Sequence, residues 1–373
     1  MTSFFAKGKI SFVLGGQFGS EGKGAACAWL AAEAYRTGLT PDIVTTNAGV
    51  QSGHTSVHNG RKRVLFHLPT AAVVLNDIAA HQGVLAPTPI VYLNAGSIID
   101  PSVLRQELDD TGFPLRRLFV HPNAAVITDE CKDAEMRMDS AQTKIASTRK
   151  GVGEALSRKV LRSGLIARDH AWLRQFVRRI DLNDRLAKGA AVLAEVPQGF
   201  SLSLNSPFYP HTTSRDCTVG QALSDAGVHP HFYGNTMLVL RTYPIRVGNI
   251  KIDNGTGLDP DEKEIGYSGG AYPGQRELTW EELGQTPEIT TVTKRVRRVF
   301  EFSKQQVREA MAATRPTHVF LAFCDYLKTE DQQQLLFKTI YQAAQAVGID
   351  EGLQWAFGYG PSTDDVKPWW VTP

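Results

Sequence analysis

Lys23 lies near the end of a glycine-rich stretch, Gly15-Gly16-Gln17-Phe18-Gly19-Ser20-Glu21-Gly22-Lys23-Gly24, whose residue types suit phosphate chemistry. An apolar run, Ile10 to Leu14, precedes it, and an alanine-rich segment with apolar residues at helical spacing, Ala25 to Arg36, follows it. A strand, a glycine-rich turn and a helix N-terminus make an anion cradle. Glycines admit a phosphate close to the backbone, and free N–H groups with the helix dipole favour its charge. Lys23 adds a cation beside that phosphate. The nearest general pattern is the P-loop, G-x-x-x-x-G-K-[ST]. The match has two departures: Gly16 and Gly22 enclose five residues instead of four, and Gly24 stands where a hydroxyl would hold magnesium. A second motif, Gln51-Ser52-Gly53-His54-Thr55, can set an imidazole beside a phosphate, where it would donate to a leaving oxygen. Taken alone, it is better read as a turn histidine with a structural hydrogen bond.

Such residues need a scaffold. Short β-branched or apolar runs recur at Ile10–Leu14, Ile43–Thr46, Ile90–Leu93, Leu118–His121, Ala191–Val196, His318–Phe323 and Gln354–Phe357. Helical patterns lie between many of them: Ala25–Arg36, Pro101–Thr111, Gly153–Arg162, His170–Lys188, Lys304–Thr314 and Asp331–Val347. This alternation predicts an α/β fold with a mainly parallel central sheet and helices on both faces. In such folds ligands gather at the carboxyl ends of strands. Residues 1–373 are expected to form a single domain. A Gly/Pro/Asp/Glu-rich excursion at about 248–287, including Asp253-Asn254-Gly255-Thr256-Gly257, is expected to fold over a site. The final Lys367–Pro373 is expected to be an aromatic tail packed on the body.

Composition narrows the class of function. With 42% hydrophobic and 21% charged residues among 373, the chain has the make-up of an ordinary globular enzyme. A formal net charge of +2, without a basic tail, argues against a nucleic-acid-coating protein. The four cysteines, Cys27, Cys131, Cys217 and Cys324, form no CxxC pair, so reduced thiols in a cytoplasm are expected. No signal-peptide pattern follows Met1, and no run is long enough for a membrane span.

Together the two loops are far more specific than either alone. The chain resembles the adenylosuccinate synthetase family, whose loops read G-x-Q-W/F-G-D-E-G-K-G and N-A-G-H-T. The resemblance runs along nearly the whole chain. Lys144-Ile145-Ala146-Ser147-Thr148-Arg149-Lys150-Gly151-Val152-Gly153 resembles the family's phosphate segment, and Lys159-Val160-Leu161-Arg162-Ser163-Gly164-Leu165 its K-V-x-R-x-G-L. Glu195-Val196-Pro197-Gln198-Gly199, Tyr209-Pro210-His211-Thr212-Thr213-Ser214 and the stretch Glu288 to Arg298 are similar to three further motifs.

The resemblance implies a P-loop-NTPase-like fold with long active-site loops, and a ligase. O6 of a purine nucleoside monophosphate is phosphorylated by a nucleoside triphosphate, and the amine of L-aspartate then displaces the phosphate. Ser20, Lys23 and His54 would be the catalytic residues. Lys23 would stabilise the transferred phosphoryl group, and His54 would donate towards the leaving diphosphate. Gly19, Ser20, Glu21, Gly22, Lys23, Gly24, Gly53, His54, Thr55 and Arg297 would bind the triphosphate, with Asp325, Gly360 and Pro361 at its base. Ser20, Gln51, Thr148, Gln198 and Thr213 would bind the monophosphate, joined by Arg162 from the second subunit of a homodimer. Val292, Thr293, Lys294 and Arg295 would receive aspartate, since a guanidinium fork matches a carboxylate. Without the resemblance, Arg295, Arg297 and Arg298 read as a solvated basic face. Mg2+ is the implied cofactor, with Ser20 and the Gly53 carbonyl as its protein ligands. Neither nucleic acid nor membrane is an expected partner.

The departures carry the substrate clue. Ser20 stands where the family carries an aspartate that acts as base towards N1 of IMP, and a hydroxyl is neutral and a poor base. Serine leaves room beside purine C2 and can accept from an exocyclic amino group, which describes guanine. The combination resembles a bacteriophage-encoded, dGMP-using branch of the family that serves diaminopurine DNA. Phe323 replaces the lysine that flanks guanine in GTP-using members, so ATP or dATP is expected at least as strongly as GTP. The alternatives are an ordinary enzyme on IMP with GTP, a nucleotide-binding regulatory protein without ligase activity, and a kinase. Lys294 replaces a usual loop glycine, and Gln51 a usual asparagine.

Overall fold

A computed structural model of the chain describes residues 4–82, 88–251, 264–290 and 293–369. Nine strands share one sheet: β1 Ile10–Gly15, β2 Ile43–Thr46, β3 Ile90–Leu93, β4 Leu118–Val120, β5 Val192–Glu195, β6 Tyr233–Arg241, β7 His318–Ala322, β8 Gln354–Gly358 and β9 Val366–Trp369. Their order is β9-β8-β7-β6-β1-β5-β2-β3-β4, and every neighbouring pair is parallel except β8 with β9.

The central strands read as continuous apolar runs because both faces are covered. Side chains alternate between the faces, as a period of two requires. Val13, Val239 and Phe320 turn to one face, with Leu30 of α1 (Lys23–Thr37) and Val74 of α2 (Thr70–Gln82). Leu238, Leu240 and Leu321 turn to the other, against Val307 and Met311 of helix Lys304–Thr314 and Ile340 of helix Glu330–Gln345. Ile10, Phe12 and Leu14 continue that face against Leu223 of helix Val219–Ala226. Each fully buried side chain of this size contributes roughly 1.5–3 kcal/mol.

Two of the differences from the sequence reading bear on the central sheet. The expected helix His170–Lys188 is instead one 3-10 turn, Leu173–Phe176, followed by a short helix, Leu182–Ala187. The sheet edge interrupts it: Val177 bridges Val120 of β4, and Arg178 N donates to Val120 O at 3.0 Å. Asp181 then caps the new helix by accepting from Asp184 N. The second difference is β6, which has no counterpart in the sequence reading. Its first half, Tyr-Gly-Asn-Thr, is polar, so the apolar signal is only Met237–Leu240.

The described parts of the excursion after Gly248 contain short strands. Ile250–Lys251 pairs with Glu264–Gly266, and Glu277–Leu278 pairs with Arg298–Phe300. Residues 252–263, which include Asp253 to Gly257, lie outside the described residues. In the terminal segment, Val366–Trp369 is an antiparallel edge strand on β8, and residues beyond 369 lie outside the described ones.

Candidate active site

The loops leaving the carboxyl ends of β1, β2, β5, β6, β7 and β8 meet around a cavity of about 870 Å³. This is the position a parallel sheet favours for ligands.

The first loop turns on Gly19 (φ 85°), Ser20 (φ 57°) and Gly22 (φ 98°), which leads into α1. Ser20 is exposed, lines the cavity and adopts a left-handed backbone uncommon for serine. Glu21 does not line the cavity. Its side chain folds back beneath the loop, where Oε1 accepts from Gln17 N at 3.0 Å and Gly19 N at 2.8 Å. Its Oε2 lies 2.7 Å from Lys23 Nζ, and both side chains are buried. The loop therefore carries its own counter-ion. Gly24 has a purely steric reason: a Cβ there would stand 2.7 Å from Thr55 N and collide with Thr55 O. The hairpin of His54–His58 with Arg61–Leu65 thus sits directly on the start of α1.

Gln51, Ser52, Gly53, His54 and Thr55 all line the cavity. Gln51 Oε1, Ser52 Oγ and His54 Nε2 are buried without a hydrogen-bond partner in the protein. Buried polar groups are normally satisfied, so three orphans at one cavity mark a place for a polar ligand. On its other side the His54 ring sets Nδ1 3.5 Å from Glu195 Oε2. The sequence reading gave Glu195 no role. Its signal was an acid closing the apolar strand β5.

Thr148, Gln198 and Thr213 also line the cavity. The segment before Thr148 leads to helix Val152–Val160, whose first amides are already occupied: Gly151 N donates to Glu135 Oε2 at 2.7 Å and Glu154 N to Oε1 at 3.1 Å. Burial raises the Glu135 carboxyl above its usual pKa. Arg162 lies outside the cavity, exposed just beyond that helix beside Val160 and Leu161, which are 63% and 71% exposed.

Val292 lies outside the described residues. Thr293 lines the cavity and pairs its hydroxyl with Thr290 at 2.6 Å. Lys294 has φ 56°, which explains why a glycine suits that position. Arg295 does not line the cavity. Its guanidinium donates to Gly248 O at 2.7 Å, Ala146 O at 3.1 Å and Ser147 O at 2.9 Å, tying three loops together. Burial and nearby Arg149 lower its pKa to about 10.

Arg297 lines the cavity and donates from Nη1 to Ser20 Oγ. Behind it Glu288 receives Arg241 Nη2 and Tyr326 OH, the latter at 2.9 Å, and lies 3.6 Å from Arg297 Nε. Burial works against ionisation of Glu288, but the Arg241 charge outweighs it and holds the carboxyl below its usual range. Arg241, with no exposed surface, donates to Ser20 O at 3.2 Å and stacks 3.9 Å from the Phe323 ring centroid. Ser20 is thus held by two arginines that share one carboxylate. Arg241 was also missed, although an arginine ending the run Met237–Leu240 was its signal. At the far end of the cavity lie Phe323, Asp325, Gly360 and Pro361. Burial, with Asp365 nearby, raises the Asp325 carboxyl pKa.

Among the described residues no group of three or more His, Cys, Asp or Glu could hold a metal ion. The two protein donors expected for Mg2+, Ser20 and Gly53, are neutral oxygens on the cavity wall. Such a pair fits Mg2+ as minor ligands of an ion that arrives with nucleotide phosphates and water. No helix among those residues is long and apolar enough to cross a membrane.

The fold and site define a purine-nucleotide synthetase: the chain belongs to the adenylosuccinate synthetase family, whose model matches residues 12–181 and 173–346. Among its relatives, the N6-succino-2-amino-2'-deoxyadenylate synthase of Vibrio phage phiVC8 is 36% identical, covering 96% of this chain and 97% of that protein. The adenylosuccinate synthetase of Pyrococcus horikoshii is 28% identical, covering 91% and 94%. A solved structure of the succinoaminodeoxyadenylate synthetase of cyanophage S-2L, bound to dGMP and dATP as an energy donor, superposes with a TM-score of 0.78. It is 30% identical and covers 96% of this chain and 95% of that one.

Proposed function

We propose that the protein joins L-aspartate to C6 of dGMP, using ATP or dATP, to give N6-succinyl-2-amino-2′-deoxyadenylate, the nucleoside diphosphate and phosphate. The observation that carries this reading is Ser20: a neutral hydroxyl held by Arg297, on a backbone whose carbonyl is held by Arg241, where IMP-using members carry aspartate. Ser20 Oγ accepts from Arg297 and keeps a second lone pair for an exocyclic 2-amino group. A carboxylate there would be drawn to Arg297 instead.

In this reading the N1 proton passes to water or a phosphate oxygen as purine O6 attacks the γ-phosphorus, and the bond from that phosphorus to the β–γ bridging oxygen breaks. Lys23 exchanges Glu21 for the transferred phosphoryl group, and His54 Nε2 donates to the departing diphosphate. The aspartate amine then attacks C6 and phosphate leaves with its bonding electrons. Thr148, Gln198, Thr213 and Gln51 hold the monophosphate, and Thr293 meets aspartate. Arg295 swings its fork from the three carbonyls to the aspartate carboxylates, while Arg297 spans the aspartate and triphosphate regions. Mg2+, held by the Gly53 carbonyl and by Ser20 in place of its Arg297 hydrogen bond, would neutralise charge on the β- and γ-phosphates. Arg162, beside exposed Val160 and Leu161, completes the monophosphate site of a second subunit in a homodimer. The phage relatives support work in a host cytoplasm.

Purified protein supplied with dGMP, L-aspartate and ATP or dATP should release phosphate only when all three are present. Nucleoside diphosphate formed from ATP and dGMP without aspartate and without free phosphate would indicate a kinase, and free phosphate without aspartate a simple hydrolase. Nucleotide binding with no release would indicate a regulatory protein.

A further inference from the structure

Glu195 ends β5 with its carboxylate 1% exposed, and its surroundings explain what it does there. Oε2 accepts from Thr70 N at 2.9 Å and Oε1 from Ala71 N at 2.7 Å. These are the first two amides of α2, which lack partners within the helix, and the helix dipole favours a negative charge beside them. The buried thiol of Cys27, on α1 one turn beyond Lys23, lies by the same carboxylate. Burial and this neighbour push that thiol's pKa well above its usual value. Glu195 therefore links the sheet, the helix that follows the phosphate loop, and α2.

We propose that Glu195 is the positioning residue for His54: the carboxylate holds the Nδ1–H side of the ring and thereby turns Nε2 towards the cavity. The 3.5 Å from Nδ1 to Oε2 is longer than a closed hydrogen bond, as is common for catalytic contacts without ligand. The unpartnered, buried Nε2 on the opposite side of the ring is the second half of the arrangement. With Nδ1 protonated and facing a carboxylate, any proton on Nε2 makes the ring an imidazolium whose charge Glu195 balances. The ring can then offer a phosphate oxygen a charged N–H donor, and the proton returns to Nε2 from solvent after turnover. This rests on the reading that His54 meets the triphosphate. The tautomer itself does not.

The test separates the two. In 15N-histidine-labelled full-length protein, with His54 signals assigned by their loss in His54→Asn, the wild type should show Nδ1 protonated. In Glu195→Gln the amide N–H would face Nδ1, and the proton should move to Nε2. A purely structural Glu195 would lower stability without changing the tautomer. With dGMP, aspartate and dATP, Glu195→Gln should lower kcat by about 100-fold while leaving KM values within about 3-fold, and Glu195→Asp should recover part of the loss. A wild-type His54 with Nδ1 unprotonated, which does not depend on Glu195→Gln folding, would overturn the proposal. So would an unchanged tautomer in Glu195→Gln. Failure to turn over dGMP would instead count against the proposed reaction and leave the tautomer result standing.

Discussion

The ammonium of Lys23 lies 2.7 Å from Glu21 Oε2, and both side chains are almost wholly withdrawn from water. Because Glu21 also accepts from Gln17 N and Gly19 N, one carboxylate shapes the phosphate loop and neutralises its cation before any nucleotide arrives. Removing one partner of a buried pair leaves an uncompensated charge, at a cost of roughly 3–5 kcal/mol. Glu21→Gln is expected to lower the melting temperature markedly without nucleotide. Saturating ATP should restore part of the loss, because phosphate then meets Lys23. Thermal unfolding with and without ATP checks this, and equal losses in both conditions would contradict it.

The same carboxylate explains a glycine in the loop after β5. A Cβ at Gly199 would stand 2.5 Å from Gln17 O and from Gly19 N and would collide with Glu21 Oε1. These atoms are fixed by the loop's own hydrogen bonds, so the clash has no cheap outlet. Gly199→Ala is expected to destabilise the protein by roughly 1–3 kcal/mol and to weaken nucleotide binding more than aspartate binding. Urea unfolding and ATP titration measure the two effects. A variant with native stability and affinity would show that the loop yields.

The sequence made the loops and most of the sheet legible for a physical reason. Doubly covered strands such as Ile10–Leu14 and Ile43–Thr46 are mostly apolar or β-branched, and the phosphate loop needs glycines where its backbone turns. What stayed hidden depends on pairing across distance. β6 is a strand because β1 and β7 flank it, although half of it is polar. Val177 is extended because the edge of β4 was open. Glu195 matters through His54, 141 residues away, and Arg241 through Glu288 and Ser20, 47 and 221 residues away, which no local pattern announces.

The segment that follows the His54 hairpin carries a pH dependence. Glu107 of helix Pro101–Thr111 accepts from the backbone N–H groups of Phe66, His67 and Leu68, the last at 2.9 Å. Burial nevertheless pushes its carboxyl up to about 7. An unfolded glutamate titrates near 4.3, so between that pH and about 7 the folded state holds more proton. The stability this group contributes is full below about 4.3 and is lost as pH rises through about 7. The loss amounts to roughly 2–4 kcal/mol. Relative to Glu107→Gln, wild type should therefore lose stability between pH 4.5 and 7.5 in urea unfolding. Parallel profiles of the two proteins would contradict this.

The central claim is that Ser20, held by Arg297 and Arg241, selects dGMP. The most direct measurement is competition: dGMP and IMP at equal concentration, with L-aspartate and dATP, and the products counted by mass spectrometry for wild type and Ser20→Asp. The account predicts N6-succinyl-2-amino-2′-deoxyadenylate from wild type, and a shift of the product ratio towards adenylosuccinate by at least about 10-fold in the variant. Preferential use of IMP by wild type, or a Ser20→Asp variant with unchanged dGMP preference, would contradict it.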